Sequence, residues 1–466
     1  MNLQVLSATL IAALTFSVYL PASAKSKEPD LLVIGGTPAG IAAAIAAARL
    51  GEHVELISRR PVLGGILVDA MMDQWDLNLA RDGQSVEGGI FTEIHRDLGD
   101  SFTPGQAASV FARMVDAEPL IHVVYNAVPI AVHTSVASNL HQITTIEFQN
   151  TENRSTFVTE APYVVDATDD GDVAALAGAR YDLGRQDTGR DDRMQAVTLM
   201  FSLTGVNWQK IEESYDTLRY GPGGTADRRA WGYSKLLSAY HSNQDQVSVA
   251  DLNLGHENGG NVTVNAIDVL GIDGCNPSDI ARARANTEQE APRVIAWLRT
   301  HLPGFEHAAI NRYADYVYVR ETRHFAGLER LTASDVWGSD IPTDTIGLSS
   351  YPMDLHPVVL DEKQAYAPIR HVYGIPFGSL VPVDFSNLVL ASPAISASHI
   401  ASGSARVIPT TIEEGEAAGT AAAIANKRHI TFPALARSHT DISVLRADLT
   451  HYGVVLTQTG VAIGQN

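Results

Sequence analysis

Three apolar runs separated by short turns stand out in residues 31–60, LLVIGGTPAGIAAAIAAARLGEHVELISRR. The short apolar run at 31–34 predicts a fully buried parallel strand, and the alanine-rich run at 39–50 predicts a helix that ends at Gly51. Apolar residues at 54–57 predict a second strand. The pattern therefore predicts a βαβ unit.

The corner between the first strand and the helix predicts a phosphate-binding turn. Glycine permits backbone angles and close approaches that a side chain forbids, and the free N–H groups and dipole of a helix N-terminus favour an anion. A plain βαβ corner that binds no nucleotide is the alternative. The candidate dinucleotide contacts here are Gly35, Gly36, Thr37, Pro38, Ala39 and Gly40.

Two positions depart from the usual GxGxxG fingerprint. Thr37 replaces the middle glycine, and Ser58 stands where the second strand usually ends in Asp or Glu. The Thr37 hydroxyl is still able to face a phosphate. Without the acid, the ribose hydroxyls must bond to Ser58, to the backbone or to water, and Arg59 and Arg60 become candidates for holding phosphate.

Composition narrows the range of partners and cofactors. The chain has 466 residues, with 33 Lys and Arg against 53 Asp and Glu and a formal charge of −20, which disfavours nucleic acid and anionic membranes as partners. Cys275 is the only cysteine, so an intramolecular disulfide and a cysteine-ligated iron–sulfur cluster are excluded. The 16 histidines show no metal-ligand spacing, so we expect no metal.

The N-terminus has the pattern of an export signal. An apolar stretch at 5–20 is followed by the small residues 22–24, and cleavage after Ala24 predicts a periplasmic or secreted protein. An uncleaved membrane anchor is the alternative, although this stretch is short for a bilayer span.

Six further motifs follow the first corner in order. The chain with these motifs resembles the FAD-dependent oxidoreductases related to the flavin subunit of heterodisulfide reductase, over about residues 29–450. Seven ordered motifs are far more specific than one glycine turn, so we expect the first corner to bind FAD. The six motifs are LGGIL at 63–67, VVDATDDGDVAALAGARY at 164–181, RETRHFAGLERLTASDV at 320–336, YPMDLHP at 351–357, YGIPFGSLVP at 373–382 and AISASHIASGSARVIPTTIEEGEAAGTAAAIA at 394–425.

The resemblance implies an α/β fold, with an FAD/NAD(P)-binding Rossmann-like domain of the glutathione-reductase type and an inserted α+β substrate or cap subdomain. The implied organisation is a signal peptide at 1–24, the first part of the FAD-binding domain at 29–189, the substrate or cap subdomain at 190–370, the second part of the FAD-binding domain at 371–431 and a C-terminal helical tail at 432–466.

The resemblance also implies non-covalently bound FAD. A helix beginning near Pro409 is expected to aim its N-terminus at the pyrimidine edge of the flavin, where its dipole stabilises the negative charge of the reduced state. Pro393 replaces a usual Arg and Thr411 stands where Cys is frequent, which changes the electrostatic tuning of the flavin. The implied FAD contacts beyond the first corner are Ser58, Arg59, Gly64, Gly65, Ala167, Thr168, Ser398, Pro409, Thr410 and Thr411.

Four residues inside the motifs are candidates for acting on substrate. His399 and His356 suit proton transfer near neutral pH, and Arg320 and Arg323 suit binding of a substrate carboxylate. Structural histidines and ion-paired arginines are the alternatives. His399 is expected in a loop beside the reactive face of the flavin, where it would accept a substrate proton.

The expected function is hydride transfer between a small organic substrate and FAD, with anionic compounds among the candidate substrates. An FAD-stabilised hydrolase or lyase, or a binding protein without redox turnover, is the alternative, although no GxSxG string occurs. The segment 220–227 predicts a surface loop rather than a nicotinamide site, so electrons would pass from substrate to oxygen or another acceptor. The oligomeric state is open.

Overall fold

The computed structural model describes residues 28–80, 83–226, 228–338, 341–369 and 371–457. The export signal expected at 1–24 lies outside these ranges, as does the end of the tail after residue 457. Within the described ranges, no helix is long and apolar enough to cross a membrane.

The helices are α1 (Pro38–Arg49), α2 (Ile66–Asp69), α3 (Gly89–Leu98), α4 (Pro104–Asp116), α5 (Asp172–Leu176), α6 (Trp208–Ser214), α7 (Thr217–Tyr220), α8 (Ser234–Leu237), α9 (Pro277–His301), α10 (Ala333–Trp337), α11 (His399–Ala405), α12 (Ile408–Arg428), α13 (Phe432–Arg437) and α14 (His439–His451).

The strands are β1 (Leu31–Ile34), β2 (Val54–Ile57), β3 (Ile121–Val124), β4 (Ala127–Ala137), β5 (Leu140–Asn150), β6 (Thr156–Thr159), β7 (Tyr163–Asp166), β8 (Tyr181–Leu183), β9 (Val197–Thr198), β10 (Phe201–Thr204), β11 (Gly224–Ala226), β12 (Arg229–Trp231), β13 (Val247–Ser248), β14 (Asn253–His256), β15 (Val262–Asn265), β16 (Asp268–Val269), β17 (Ala309–Tyr313), β18 (Arg323–Phe325), β19 (Thr345–Ser349), β20 (Met353–Leu355), β21 (Ala365–Ala367), β22 (Tyr373–Pro376) and β23 (Leu388–Leu390).

A five-stranded parallel sheet forms the centre of the fold. Its order is β23-β7-β1-β2-β3, and every pairing within it is parallel. All four residues of β1 are buried because the strand lies in the middle of the sheet with layers on both faces. The βαβ unit predicted from residues 31–60 is confirmed, and the sheet with its crossovers is an α/β, Rossmann-type fold.

Helices α1 and α12 pack against each other at very short range. A Cβ at Gly415 would lie 2.0 Å from the carbonyl oxygen of Ala39, and a Cβ at Gly419 would lie 2.1 Å from that of Ala43. The alanine-rich sequence of α1 leaves little side chain between the two backbones. This contact joins α12 to α1, the helix that follows the first corner.

A second hydrophobic core surrounds a six-stranded antiparallel sheet of order β11-β12-β14-β15-β10-β17. Its buried residues come from 197–317 and from Met71, whereas Phe325, Leu331 and Met353 belong to the core of the parallel sheet. The chain therefore returns to the first core well before residue 370, the boundary expected from the sequence, because β18 pairs with β8 rather than with the second sheet.

Candidate functional site

A cavity of about 790 Å³ runs between the two cores. Its size lies within the range of about 300 to 1,000 Å³ that is usual for small-molecule and cofactor sites. Residues 35–39 line it on the side of the parallel sheet, residues 316–323 form one wall, and residues 406–408 line it where α12 begins. One space therefore joins the glycine corner to the N-terminus of α12.

The glycine corner presents bare backbone to this cavity. Gly35 has a φ of +131°, and a Cβ there would lie 2.1 Å from the carbonyl oxygen of Ala167. A Cβ at Gly40 would lie 2.0 Å from the carbonyl oxygen of Gly35. Only glycine at this position therefore lets the first turn of α1 pack this closely against the end of β1. The free N–H groups at the start of α1 thus open toward the cavity, and the corner fits a pyrophosphate.

Thr37 does not offer its hydroxyl to a phosphate. The hydroxyl accepts a hydrogen bond from the backbone N–H of Gly40 at 3.1 Å and donates one to the carbonyl oxygen of Ala167 at 2.9 Å. It caps α1 and ties the corner to the end of β7, so a ligand would meet the backbone of Thr37 rather than its side chain.

The two arginines after β2 have different environments. Arg60 is held by Asp69 at 3.1 Å and by Asp315 at 2.5 Å, so it is not free for phosphate. Arg59 lines the cavity, its guanidinium carbon lies 4.5 Å from the centre of the Tyr316 ring, and it has no ion-pair partner among the described residues. Ser58 lines the cavity too, but its hydroxyl donates to the carbonyl of Arg60 at 3.0 Å.

The structure brings most of the expected contact residues together and leaves others outside the cavity wall. Gly40, Gly64 and Ala167 lie behind the wall and shape the corner. Ser398 caps α11 instead. The expected residues that line the cavity are Gly35, Gly36, Thr37, Pro38, Ala39, Ser58, Arg59, Gly65, Thr168, Thr411, Arg320 and Arg323, and those that do not are Gly40, Gly64, Ala167, Ser398, Pro409, Thr410, His356 and His399.

The structure contradicts the loop position expected for His399. His399 is the first residue of α11 rather than part of a loop, and its ring Nδ1 lies 2.6 Å from Oε1 of Glu321, which His324 Nε2 also contacts at 2.9 Å. Burial alone would raise the pKa of Glu321, but the two histidines lower it to about 2. His399 thus belongs to a buried ion cluster behind the wall, because Glu321 attracts its ring there.

His356 is also behind the wall, between two carboxylates. Its Nδ1 lies 2.9 Å from Asp268 and its Nε2 lies 3.6 Å from Asp354. Burial and the charge of Arg320 would lower the pKa of His356, but the two carboxylates raise it above its usual value. Asp268 in turn lies 3.5 Å from Nη1 of Arg320.

Arg323 and three acids, Asp169, Asp170 and Asp172, line the middle of the cavity. Nη1 of Arg323 donates to the carbonyl of Asp170 at 2.7 Å and to the Asp172 carboxylate at 3.0 Å. Desolvation by the surrounding protein and the neighbouring acids raise the pKa of Asp169, which is exposed to the cavity, to about 7 and that of Asp170 to about 6. Arg323 therefore holds the acidic turn after β7 and is largely ion-paired.

Three cavity residues were missed in the sequence. Arg406 lies two residues before α12. A cation so close to a helix N-terminus was the one feature of the sequence that could have indicated an anion-binding role for it. Tyr318 lies between two charged groups, since its ring is 4.8 Å from the guanidinium carbon of Arg320 and its hydroxyl accepts a hydrogen bond from Arg406 at 2.7 Å. Asp76 lies in an irregular segment without periodicity, so nothing in the sequence marked it.

Asp76 faces the cavity beside Arg406. Asp76 is exposed to the cavity, and desolvation by the protein atoms around it raises the pKa of its carboxyl, against smaller opposing effects of the Arg406 charge and of a hydrogen bond with Tyr351. A carboxylate with a raised pKa in a ligand cavity is suited to accept a proton. In the described part of the chain, no group of three or more His, Cys, Asp and Glu side chains could hold a metal ion.

Solved structures with similar folds include several flavin-dependent enzymes. The p-nitrophenol 4-monooxygenase PnpA from Pseudomonas putida DLL-E4 is 11% identical with a TM-score of 0.45, covering 91% of this chain and 88% of that one. The flavin-dependent brominase Bmp2 is 10% identical with a TM-score of 0.44, covering 90% of this chain and 83% of that one. A geranylgeranyl bacteriochlorophyll reductase-like protein from Thermoplasma acidophilum is 11% identical with a TM-score of 0.40, covering 91% and 83%.

No curated protein matches the sequence. The family model described as FAD dependent oxidoreductase matches residues 30–449, a span that includes the glycine corner, the whole cavity wall and α12. The bare backbone at Gly35 and Gly36 fits the dinucleotide that this family binds. The chain therefore belongs to the FAD-dependent oxidoreductase family and is an enzyme whose cofactor is FAD.

Proposed function

We propose that the enzyme transfers a hydride from a small organic substrate to non-covalently bound FAD and passes the electrons to oxygen or another acceptor. The observation that carries this proposal is the single cavity that joins the glycine corner to the N-terminus of α12. The corner residues Gly35 to Ala39 would hold the pyrophosphate, and residues 406–408 with Thr411 would face the flavin ring.

The start of α12 suits a group that gains negative charge. Val407 carries no side-chain oxygen, so no side chain caps this helix, and Arg406 adds a full positive charge beside it. A helix N-terminus stabilises negative charge by about 0.3 to 1 kcal/mol when exposed and by up to about 2 kcal/mol when partly buried. Bound FAD supplies hydride acceptance, and these residues favour its reduced state.

Asp76 is the proposed proton acceptor. Oxidation of a C–H bond beside a hydroxyl or amine releases a hydride to the cofactor and a proton from the heteroatom, so a base must take that proton. Asp76 lines the cavity and its raised pKa brings it toward the working range of a base. His399, the base expected from the sequence, is separated from the cavity by the wall that contains Glu321.

The test is anaerobic flavin reduction by a panel of small alcohols, amines, and hydroxy and amino acids. We expect the purified chain to carry FAD and one compound class to bleach its visible absorbance. A protein that is free of FAD after reconstitution, or that retains full visible absorbance with every compound while dithionite bleaches it, would contradict the proposal.

We also propose a finer kinship with the flavin subunit of heterodisulfide reductase and a glutathione-reductase type of FAD domain. The ordered motifs between residues 63 and 425 support this kinship. The single cysteine means that any disulfide chemistry of such relatives is not carried over.

Export is proposed as well, on the apolar stretch at 5–20 and the small residues before Lys25. Sequencing the N-terminus of native protein tests it. We expect Lys25 as the first residue, and a soluble cytoplasmic form that begins at Met1 would contradict it.

A further inference from the structure

A chain of alternating charges lies at the end of the cavity next to α12. Arg320 contacts Asp268 at 3.5 Å, Asp268 contacts His356 at 2.9 Å, and His356 contacts Asp354 at 3.6 Å. Asp354 completes the chain with Arg406 at 3.4 Å. Both end members line the cavity, whereas the three inner members lie behind it.

Both arginines keep hydrogen-bond donors that protein groups do not use. Arg320 bonds only through Nη1, to the carbonyl of Ala196 and the hydroxyl of Thr198, so its Nε and Nη2 have no partner among the described residues. The Arg406 side chain is only 4% exposed, and its Nε is buried without a hydrogen-bond partner. A buried donor without a partner destabilises the protein, so a ligand that accepts a hydrogen bond from it is favoured.

Cations hold the inner carboxylates of this chain in the charged form. Arg320, His356 and Arg406 lower the pKa values of Asp268 and Asp354 against the opposing effect of burial, and Asp76 and Asp251 also face this cluster. Tyr318 separates the two arginines, with its ring against Arg320 and its hydroxyl bonded to Arg406, and so holds both at the cavity wall.

We propose that Arg320 and Arg406 form a carboxylate-binding subsite, so that the substrate of the proposed oxidation carries a carboxylate. This inference rests on the proposed function. The planar fork of arginine matches the two oxygens of a carboxylate. Arg320 offers this fork through Nε and Nη2, and Arg406 adds one spare donor, its Nε. His356 is a positioning residue, because it orients the two carboxylates that hold the arginines.

The subsite also connects binding to proton transfer. A substrate carboxylate bound by Arg406 places a negative charge near Asp76, which lies within electrostatic range of Arg406. A nearby like charge raises a carboxyl pKa further. Binding of the correct substrate therefore strengthens Asp76 as a base.

Benzoate and its neutral analogue benzamide are the probes, because they share shape and differ in charge. The holoenzyme is titrated with each, and binding is read both from the flavin difference spectrum and by calorimetry. We expect saturable binding of benzoate and at least about tenfold weaker binding of benzamide, the effect of one lost charge-assisted bond. Equal affinities would overturn the subsite.

The variants are Arg406→Gln, Arg406→Lys and Arg320→Gln, with Arg96→Gln as the control on an exposed helix position. Each glutamine variant should raise the benzoate Kd at least about tenfold, Arg406→Lys should raise it less because the charge stays, and the control should match the wild type. An unchanged Kd in a folded Arg406→Lys and in Arg320→Gln would contradict the proposal.

His356→Gln distinguishes positioning from structure. We expect it to keep FAD and to remove most of the rise in benzoate Kd that the wild type shows as the pH increases above the usual histidine range, where His356, whose pKa is raised, loses its proton. Asp268, Asp354, Asp251, Arg320 and Gln364 face this ring and remain in the variant. A wild-type pH profile in His356→Gln would contradict its positioning role.

The two proposals fail in different ways. Calorimetry measures benzoate binding with or without cofactor, so benzoate-selective binding to a chain that cannot hold FAD would contradict only the proposed oxidation. An FAD-loaded chain that is reduced by a neutral substrate and does not distinguish benzoate from benzamide would contradict only the carboxylate subsite.

Discussion

The two ends of the cavity are built in opposite ways. At the glycine corner, residues 35–40 are contiguous, present backbone and gain their geometry from the absence of side chains. At the charged end, side chains from residues 76, 318–320 and 406 converge, and inner partners at 268 and 354–356 hold them. A corner of the first kind binds what all members of a family share, whereas a cluster of the second kind is free to differ with the substrate.

The largest effect is expected from a side chain placed in the glycine corner. Gly40→Val places a side chain where even a Cβ lies 2.0 Å from the carbonyl oxygen of Gly35, so α1 must move away from β1. We expect the purified variant to contain no FAD, measured as visible absorbance relative to protein.

Gly105→Val is the matched control for this variant. Gly105 also lies in the first turn of a helix, but its Cβ would meet only the Thr103 hydroxyl at 3.9 Å. It should keep full FAD content. Full occupancy in Gly40→Val would show that the nucleotide lies elsewhere.

The second change tests the charged end without touching the corner. Asp76→Asn keeps size and polarity but removes the proton-accepting carboxylate. Loss of a general base typically costs about 10² to 10⁴ in rate, so substrate-driven flavin reduction should slow by that amount with normal FAD content. Asp361→Asn, at an exposed position outside the cavity, should react at the wild-type rate, and so should Asp76→Asn if another group takes the proton.

The same contrast decides how much the sequence predicts. The βαβ corner is predictable because an alanine-rich helix, two apolar strands and four glycines lie within residues 31–60, and local chemistry determines their geometry. The charged end was only half visible: Arg320 and His356 were singled out, but Asp76, Tyr318 and Arg406 were not. Their roles depend on partners more than fifty residues away, for example Arg406 with Tyr318 and Asp354.

His399 shows the same limit from the other side. Its small neighbours and its place after β23 indicate a flavin-facing loop, but the Ser398 cap starts a separate helix, α11, before the helix expected near Pro409. The ring then pairs with Glu321, which is 78 positions away in the chain. No local pattern records such a partner.

A third prediction concerns pH and three buried acids: Asp166 in the parallel sheet, Glu416 on α12 and Asp73 beside β15 of the antiparallel sheet. Burial raises the pKa of Asp166 and Asp73 to about 7 and that of Glu416 to about 8. Each of these groups binds a proton more tightly in the folded than in the unfolded chain, so stability is lost as pH rises from about 4 to about 8. The raised pKa of His356 acts in the same direction above its usual range.

We therefore expect the melting temperature of the FAD-loaded enzyme to fall by about 5 °C between about pH 5 and pH 8.5. Glu416→Gln retains an oxygen that can accept from the N–H of Ile90, as Glu416 does at 2.7 Å, and removes the ionisation. Its melting temperature should fall less over the same interval. A melting temperature that rises across this range in the wild type would contradict the assignment of these groups as proton-retaining.

The smallest kinetic effect is expected at His399, and it separates the cavity wall from what lies behind it. His399 is 8% exposed, does not line the cavity and shares Oε1 of Glu321 with His324. His399→Asn leaves Asp76 and both arginines in place, so substrate-driven flavin reduction should stay within about twofold of the wild type, far from the loss that a general base produces. The cost should appear in stability instead, because Glu321 is fully buried and loses one of the two histidines that contact its carboxylate. Breaking a buried pair costs about 3 to 5 kcal/mol, and less where the new amide donates to the same oxygen. Stopped-flow reduction and thermal unfolding of the same preparation measure both quantities. A variant that melts normally but reduces its flavin more than about tenfold slower would return the proton-transfer role to His399 and remove it from Asp76.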